Sequence, residues 1–302
     1  MGSIDPTRRA NPAMSRSAFV GISSAALAAG SAIARVLAAD RALGAPHPPI
    51  VAEDDPAIKV LRPSLVRAGG DIGAYAAMPA TSAAATPGVV IVQHVWGVDA
   101  QIRDVVRRFA KSGYVAIAPE LYGRQHPPSG DGSTDYKLFS PFAQALVDDR
   151  VDGDLRAGAD WIASRPGMDA SSRPASVGLI GFCMGGSIAL RNAVDSPRFK
   201  AASVFYGKIR QSESVEGAAT EMSLGYAREI KMPLCGSFGA RDTSIPAADV
   251  AALRDRLSIT NDLKVYGEAG HAFFDDTRPS YVASAAADAW SRTLRWFGKY
   301  VV

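Results

Sequence analysis

The chain has 302 residues, of which 47% are hydrophobic and 21% charged, with two cysteines, four histidines and a formal charge of +3. That apolar content excludes intrinsic disorder. Two cysteines exclude a disulfide scaffold and a cysteine-based zinc cluster. The histidines (His47, His94, His126 and His271) offer no close pair for a metal, and the small, unclustered charge speaks against nucleic acid as a partner.

The chain opens on the uncharged stretch Ala18 to Ala34, preceded by Arg8, Arg9 and Arg16 and followed by Val36-Leu37-Ala38. Basic, then apolar, then small is the order of an export signal, here with a cleavage site after Ala38. A membrane span needs about 20 apolar residues, so this stretch is too short for a stable one. A twin-arginine signal is matched only in part. Thr7-Arg8-Arg9 has the pair without the following Phe-Leu, and Arg16-Ser17-Ala18-Phe19 has the Phe with a single Arg. The alternative is an amphipathic helix that stays attached. Export would make the protein periplasmic or secreted; otherwise it is cytoplasmic. Losing residues through Ala38 removes Arg8, Arg9, Arg16, Arg35 and Asp5, and with them the basic excess. Residues 1–38 thus read as signal-like, 39–56 as a Pro- and Ala-rich arm, and 57–302 as one domain.

Within that domain, short apolar runs alternate with helical periodicity. Val89–Val92, Val115–Ala118, Ala175–Ile180, Ala201–Phe205, Pro233–Phe238 and Leu263–Tyr266 read as strands. Ile102, Val105, Val106 and Phe109 share a helix face. Phe142–Ala163, Ile188–Ala193, Val250–Leu257 and Ala283–Phe297 also read as helices. The alternation predicts an α/β fold with a mostly parallel sheet covered on both faces.

Gly181-Phe182-Cys183-Met184-Gly185-Gly186 follows one such strand and precedes a helix. G-x-C-x-G in that setting is the nucleophile-elbow pattern with sulfur in place of oxygen. The glycines let strand and helix pass closely, and the helix N-terminus favours thiolate. The chain order of a triad on this fold is nucleophile, acid, histidine. Asp242 follows the strand Pro233–Phe238, and His271, the only histidine after Cys183, follows Leu263–Tyr266. Alone, Asp242 is a turn residue and His271 a loop histidine. Together, in order, each just past a strand, they predict a Cys183–His271–Asp242 triad. Backbone N–H groups of Met184 and Val95 are the expected oxyanion donors.

These segments resemble the dienelactone hydrolase family of α/β-hydrolases. The resemblance is carried by QHVWGVD at Gln93–Asp99, AIAPELYGRQ at Ala116–Gln125, DYKL at Asp135–Leu138 and GFCMGG at Gly181–Gly186. GARDTSIP at Gly239–Pro246, GEAGHAFFDD at Gly267–Asp276 and the stretch Tyr281–Phe297 extend it. It implies an α/β-hydrolase catalytic domain that cleaves a small ester or lactone without a cofactor. It also places Tyr136 in the active site, with a buried core tyrosine as the alternative. Trp96 and Phe139 read equally as pocket wall or as core.

Two departures from the family bear on substrate. The family carries Glu where this chain has His94, so His94 is either a proton-handling replacement or a structural loop residue. The two family arginines that pair with a substrate carboxylate align with Gly132 and Asp275. Losing them removes energy and orientation for an anionic substrate, so a neutral ester or lactone is expected to be preferred over dienelactone. Arg278, Lys208 and Arg210 are the candidate replacements. Two other readings stay open: an acyltransferase or thioesterase on the same triad, and a non-catalytic binding protein of the same fold.

Overall fold

The computed structural model describes residues 24–39, 43, 45, 47–81, 86–165, 176–210 and 224–301. The uninterrupted apolar runs form the middle of a nine-stranded sheet. β1 (Ile58–Leu61), β2 (Ser64–Leu65) and β3 (Ile72–Pro79) come first, and β1 and β2 both pair antiparallel with β3. β4 (Gly88–Val92), β5 (Val115–Pro119), β6 (Val177–Phe182), β7 (Ala201–Phe205), β8 (Leu234–Gly239) and β9 (Asn261–Tyr266) follow. The spatial order is β1-β3-β5-β4-β6-β7-β8-β9, parallel from β5 through β9, with β3 antiparallel to β5.

Every residue of β4 through β8 is buried, as a strand covered on both faces requires. β9 instead alternates, with Asp262 and Lys264 outward, which suits an edge strand that must not recruit another chain.

The helices are α1 (Ser24–Ala39), α2 (Ala100–Lys111), α3 (Tyr136–Gln144), α4 (Asp148–Ala163), α5 (Met184–Asn192), α6 (Ala247–Arg256) and α7 (Ala283–Tyr300). α2 packs on β3 and β5, α4 on β4 and β5, α5 on β6 and β7, and α7 on β7 and β8. Phe109, Trp290 and Phe297 join α2 to α7 through ring contacts of 4.7 and 6.1 Å.

Three features differ from the sequence reading. The expected helix Phe142–Ala163 is two helices, because the chain turns at Ala145 and Val147 enters α4 in an extended conformation. The antiparallel β1, β2 and β3 were not foreseen. Finally, Ser24–Ala39, which covers the end of the signal-like segment and the first residue of the arm, forms a helix packed against α7 and α2, with Ile33 and Leu37 buried. The paired arginines and the first part of the apolar stretch lie outside the described residues. The Pro- and Ala-rich arm is tied down as well: both carboxylate oxygens of Asp104 accept backbone N–H groups, of Ile50 and Val51, at 2.9 Å.

Candidate active site

The tight turn between β6 and α5 holds Cys183 at φ 55° and ψ −116°, a strained conformation for a residue with a side chain. The close backbone packing around the turn explains the strain. A Cβ at Gly181 would meet the Gly185 carbonyl oxygen at 1.9 Å, and one at Gly185 would meet the Val92 and Gln93 carbonyl oxygens at 2.4 Å. The elbow is therefore wedged against the end of β4.

His271 stands in the loop after β9 with Nε2 3.1 Å from Cys183 Sγ and Nδ1 2.6 Å from Asp242 Oδ2. Asp242, buried after β8, has its other oxygen occupied by the backbone N–H and hydroxyl of Ser244, at 2.9 and 2.6 Å. One imidazole therefore spans sulfur and carboxylate, and its own side chain is 37% exposed toward solvent.

The electrostatics follow from these contacts. Burial pushes the Cys183 thiol up, but the hydrogen bond and charge of His271 outweigh it and hold the thiol below its usual value. Burial opposes the imidazolium, yet Asp242 and Cys183 together push His271 up to about 10. Asp242 is held below the usual carboxylate range, because bonds from His271 and Ser244 exceed the cost of burial. Both shifts favour the thiolate–imidazolium form of the pair.

Met184 and Val95 flank this pair. Met184 begins α5, where backbone N–H groups lack intrahelical acceptors, and its N–H bonds the sulfur. Val95 lies in a turn closed by the Gly97 N–H to the His94 carbonyl at 3.1 Å, with Gly97 at φ +82°. The Tyr122 hydroxyl donates to the Val95 carbonyl at 3.2 Å. The Val95 N–H itself, in a buried residue, has no acceptor among the described residues. An N–H left over in this way is a ready donor for a developing oxyanion.

The other candidates divide. His94 is buried in the same turn, 3.3 Å from Asp99. Trp96 is half-buried and borders a cavity of about 310 Å³ shared with Gln93, Glu120, Tyr122 and His126. Phe139 is fully buried and packs edge-on against Trp96 at 5.5 Å, so it backs the wall rather than facing the cavity. Tyr136 opens α3 and is 59% exposed, so the core alternative does not describe it.

Asp275 does not stand bare. Arg278 Nε donates to its Oδ2 at 2.8 Å, Thr277 occupies its Oδ1, and the guanidinium lies over the Trp96 ring at 4.5 Å. Arg210 pairs with Asp249 at 2.7 Å, and Lys208 is exposed. Asp99 and the Asp275–Arg278 pair are the partners that sequence reading missed. Asp99 immediately precedes α2 and accepts the Ile102 N–H at 3.1 Å, so its helix-cap position was the readable signal. No helix among the described residues is long and apolar enough to cross a membrane.

A mostly parallel sheet flanked by helices, carrying an elbow after β6, an acid after β8 and a histidine after β9, defines an α/β-hydrolase. Comparison with known proteins narrows the class. The family model described as "Dienelactone hydrolase family" matches residues 72–301, and the chain belongs to that family and is a hydrolase. It is 38% identical to a Salmonella typhimurium protein named "Putative carboxymethylenebutenolidase", over 84% of this chain and 92% of that one. It is 31% identical to the carboxymethylenebutenolidase of Pseudomonas putida, over 75% and 90% of the two chains. The crystal structure of a "Putative Dienelactone Hydrolase" from Klebsiella pneumoniae superposes with a TM-score of 0.71 at 37% identity, covering 81% of this chain and all of the other.

Proposed function

We propose that the protein hydrolyses small neutral esters or lactones through an acyl-enzyme on Cys183. The observation that carries this reading is the imidazole of His271, which reaches Cys183 Sγ at 3.1 Å and Asp242 at 2.6 Å. The Cys183 thiolate attacks the substrate carbonyl carbon, and the carbonyl oxygen takes the charge between the N–H groups of Met184 and Val95. The C–O bond to the leaving group breaks as His271 Nε2 delivers its proton to that oxygen. His271, now neutral, takes a proton from water, and the hydroxide attacks the thioester carbon. Collapse releases the acid and returns the thiolate. Asp242 keeps the ring in orientation and stabilises the imidazolium.

The preference for neutral substrates rests on charge. Gly132 offers no side chain, Asp275 and Arg278 neutralise each other, and Arg210 is engaged by Asp249. A substrate carboxylate would have to displace Asp275 to gain a bidentate partner. The test is hydrolysis of 4-nitrophenyl acetate beside dienelactone by wild type and Cys183→Ala. Neutral-ester turnover that vanishes in the variant, with little turnover of dienelactone, is expected. Strong dienelactone turnover would overturn the neutral preference, and activity surviving in Cys183→Ala would overturn the nucleophile. Turnover of neither substrate would favour an acyl acceptor other than water, or ligand binding without catalysis.

A further inference from the structure

His94 differs in its surroundings from every other histidine described. Its Nδ1 accepts the N–H of Trp96 at 3.2 Å, and its carbonyl accepts the N–H of Gly97 at 3.1 Å. Ring and backbone together fold residues 94–97 into one turn. An acceptor at Nδ1 places the proton of a neutral ring on Nε2, which faces Asp99 Oδ1 at 3.3 Å. Asp99 is fixed in turn by the Ile102 N–H at the start of α2. Asp99, His94 and the Trp96 amide thus lie in the same order as Asp242, His271 and Cys183, but the carboxylate contact is at ion-pair distance only and the last member is a backbone N–H instead of a sulfur.

We propose that His94 is a positioning residue for acyl transfer: as the neutral Nε2–H tautomer it holds the Trp96 amide and thereby aims the Val95 N–H at the oxyanion. The inference rests on the acyl-enzyme reading above. Nδ1 is engaged by the Trp96 N–H, and Nε2 is buried beside Asp99 at ion-pair distance without hydrogen-bond geometry, so His94 acts on the turn and not as a proton carrier for Cys183. The Tyr122 hydroxyl grips the same turn from its other side, at the Val95 carbonyl. The Val95 carbonyl and Trp96 N–H are two edges of one peptide plane, and the Val95 N–H lies in the plane before it, whose His94 carbonyl accepts the Gly97 N–H. With both planes held, the direction of the Val95 N–H is set, and a shift of a few tenths of an ångström weakens an oxyanion donor.

Protonating His94 has a definite consequence. A proton on Nδ1 would meet the Trp96 N–H head-on, so one of them must turn away and the Val95–Trp96 segment moves. The charged groups facing the ring are Asp99 from the loop before α2, Asp275 from the loop after His271, and Cys183 from the elbow. Burial disfavours the cation, but these three negative groups outweigh it and raise His94 above its ordinary value. The competent form is the deprotonated one, so activity should rise with pH through the His94 ionisation.

The experiment compares wild type, His94→Asn and His94→Leu. Asn Oδ1 takes the N–H two residues on, as in an Asx turn, and does not titrate; Leu offers no acceptor. The readouts are kcat and KM on 4-nitrophenyl acetate against pH, and the rate of Cys183 alkylation by iodoacetamide against pH, which follows the thiolate alone. In wild type the acid limb of activity should lie above the alkylation curve. In His94→Asn the plateau rate should be kept within a few-fold and the acid limb should fall back onto the alkylation curve. His94→Leu should lose about 10²–10³-fold in kcat with KM little changed. The proposal is overturned if His94→Leu keeps its kcat, or if the acid limb of His94→Asn stays apart from that variant's own alkylation curve. If His94→Leu does not fold, the pH profile of His94→Asn decides alone. Activity in Cys183→Ala would instead overturn the underlying reading, which keeps the two failures apart.

Discussion

Asp242 meets His271 in one 2.6 Å contact and, together with Cys183, raises the imidazole above its ordinary value. His271 stays protonated up to about 10, so the ion pair with Cys183 is lost as pH rises through that value. Asp242→Asn removes the carboxylate, lowers the His271 pKa and should move the alkaline limb of kcat/KM to lower pH. Its kcat should also fall by about 10³–10⁴-fold, and a pH series of both parameters checks the two effects together. The same residue leaves a mark on stability. Asp242 lies below its ordinary 3.8 in the folded protein, so its contribution is present above 3.8 and lost as pH falls through the lowered folded value. Urea titrations of wild type and Asp242→Asn should therefore converge in acid. The order Cys183, Asp242, His271 was legible in the sequence, because each follows an apolar run. Asp99 beside His94 and Arg278 beside Asp275 were not, because pairing depends on how the loops fold against each other.

Elements meet most closely where β4 ends against the elbow. Ala at Gly185 would drive a methyl group into the carbonyl oxygens of Val92, the last residue of β4, and of Gln93 just after it, with no flexible side chain to give way. Gly185→Ala should cost about 3 kcal/mol, the upper end for overpacking, and guanidinium unfolding measures it. α1 supplies a second test. Leu37 is fully buried there, and burying such a side chain is worth about 1.5–3 kcal/mol. Leu37→Asp in the full chain should lower Tm by several degrees, read by thermal unfolding. The central strands were legible because a buried parallel strand is one apolar run between turn residues. β3 was not, since Ile72–Pro79 mixes Gly, Ala and Tyr and carries no motif, and its antiparallel pairing depends on partners distant in the chain. The break between α3 and α4 escaped because Leu146 and Val147 keep the helical apolar rhythm while the backbone departs from it.

At the scale of the molecule, one buried charge cluster joins three regions. Arg108 of α2 bonds Asp104 at 2.7 Å and pairs with Asp276 in the loop after His271, while Asp104 also holds the arm at Ile50 and Val51. Arg108→Met would take from buried Asp104 and Asp276 the guanidinium they share, leaving Arg107 at 3.5 Å from one and His47 at 3.7 Å from the other, and should cost about 3 kcal/mol, read by denaturant midpoint. The two thiols differ as sharply as any pair of like groups here. Cys235 is sealed inside β8 and pushed up to about 11 by burial, whereas Cys183 is partly accessible and held low. An oxidant therefore meets one reactive sulfur. Hydrogen peroxide should convert Cys183 to the sulfenic acid and stop turnover, and dithiothreitol should restore it before further oxidation. Mass spectrometry should find the added oxygen on Cys183 and none on Cys235. On the proposed mechanism, sulfur at this turn would make hydrolysis answer to the redox state of its surroundings, a sensitivity that a serine in the same position would not confer.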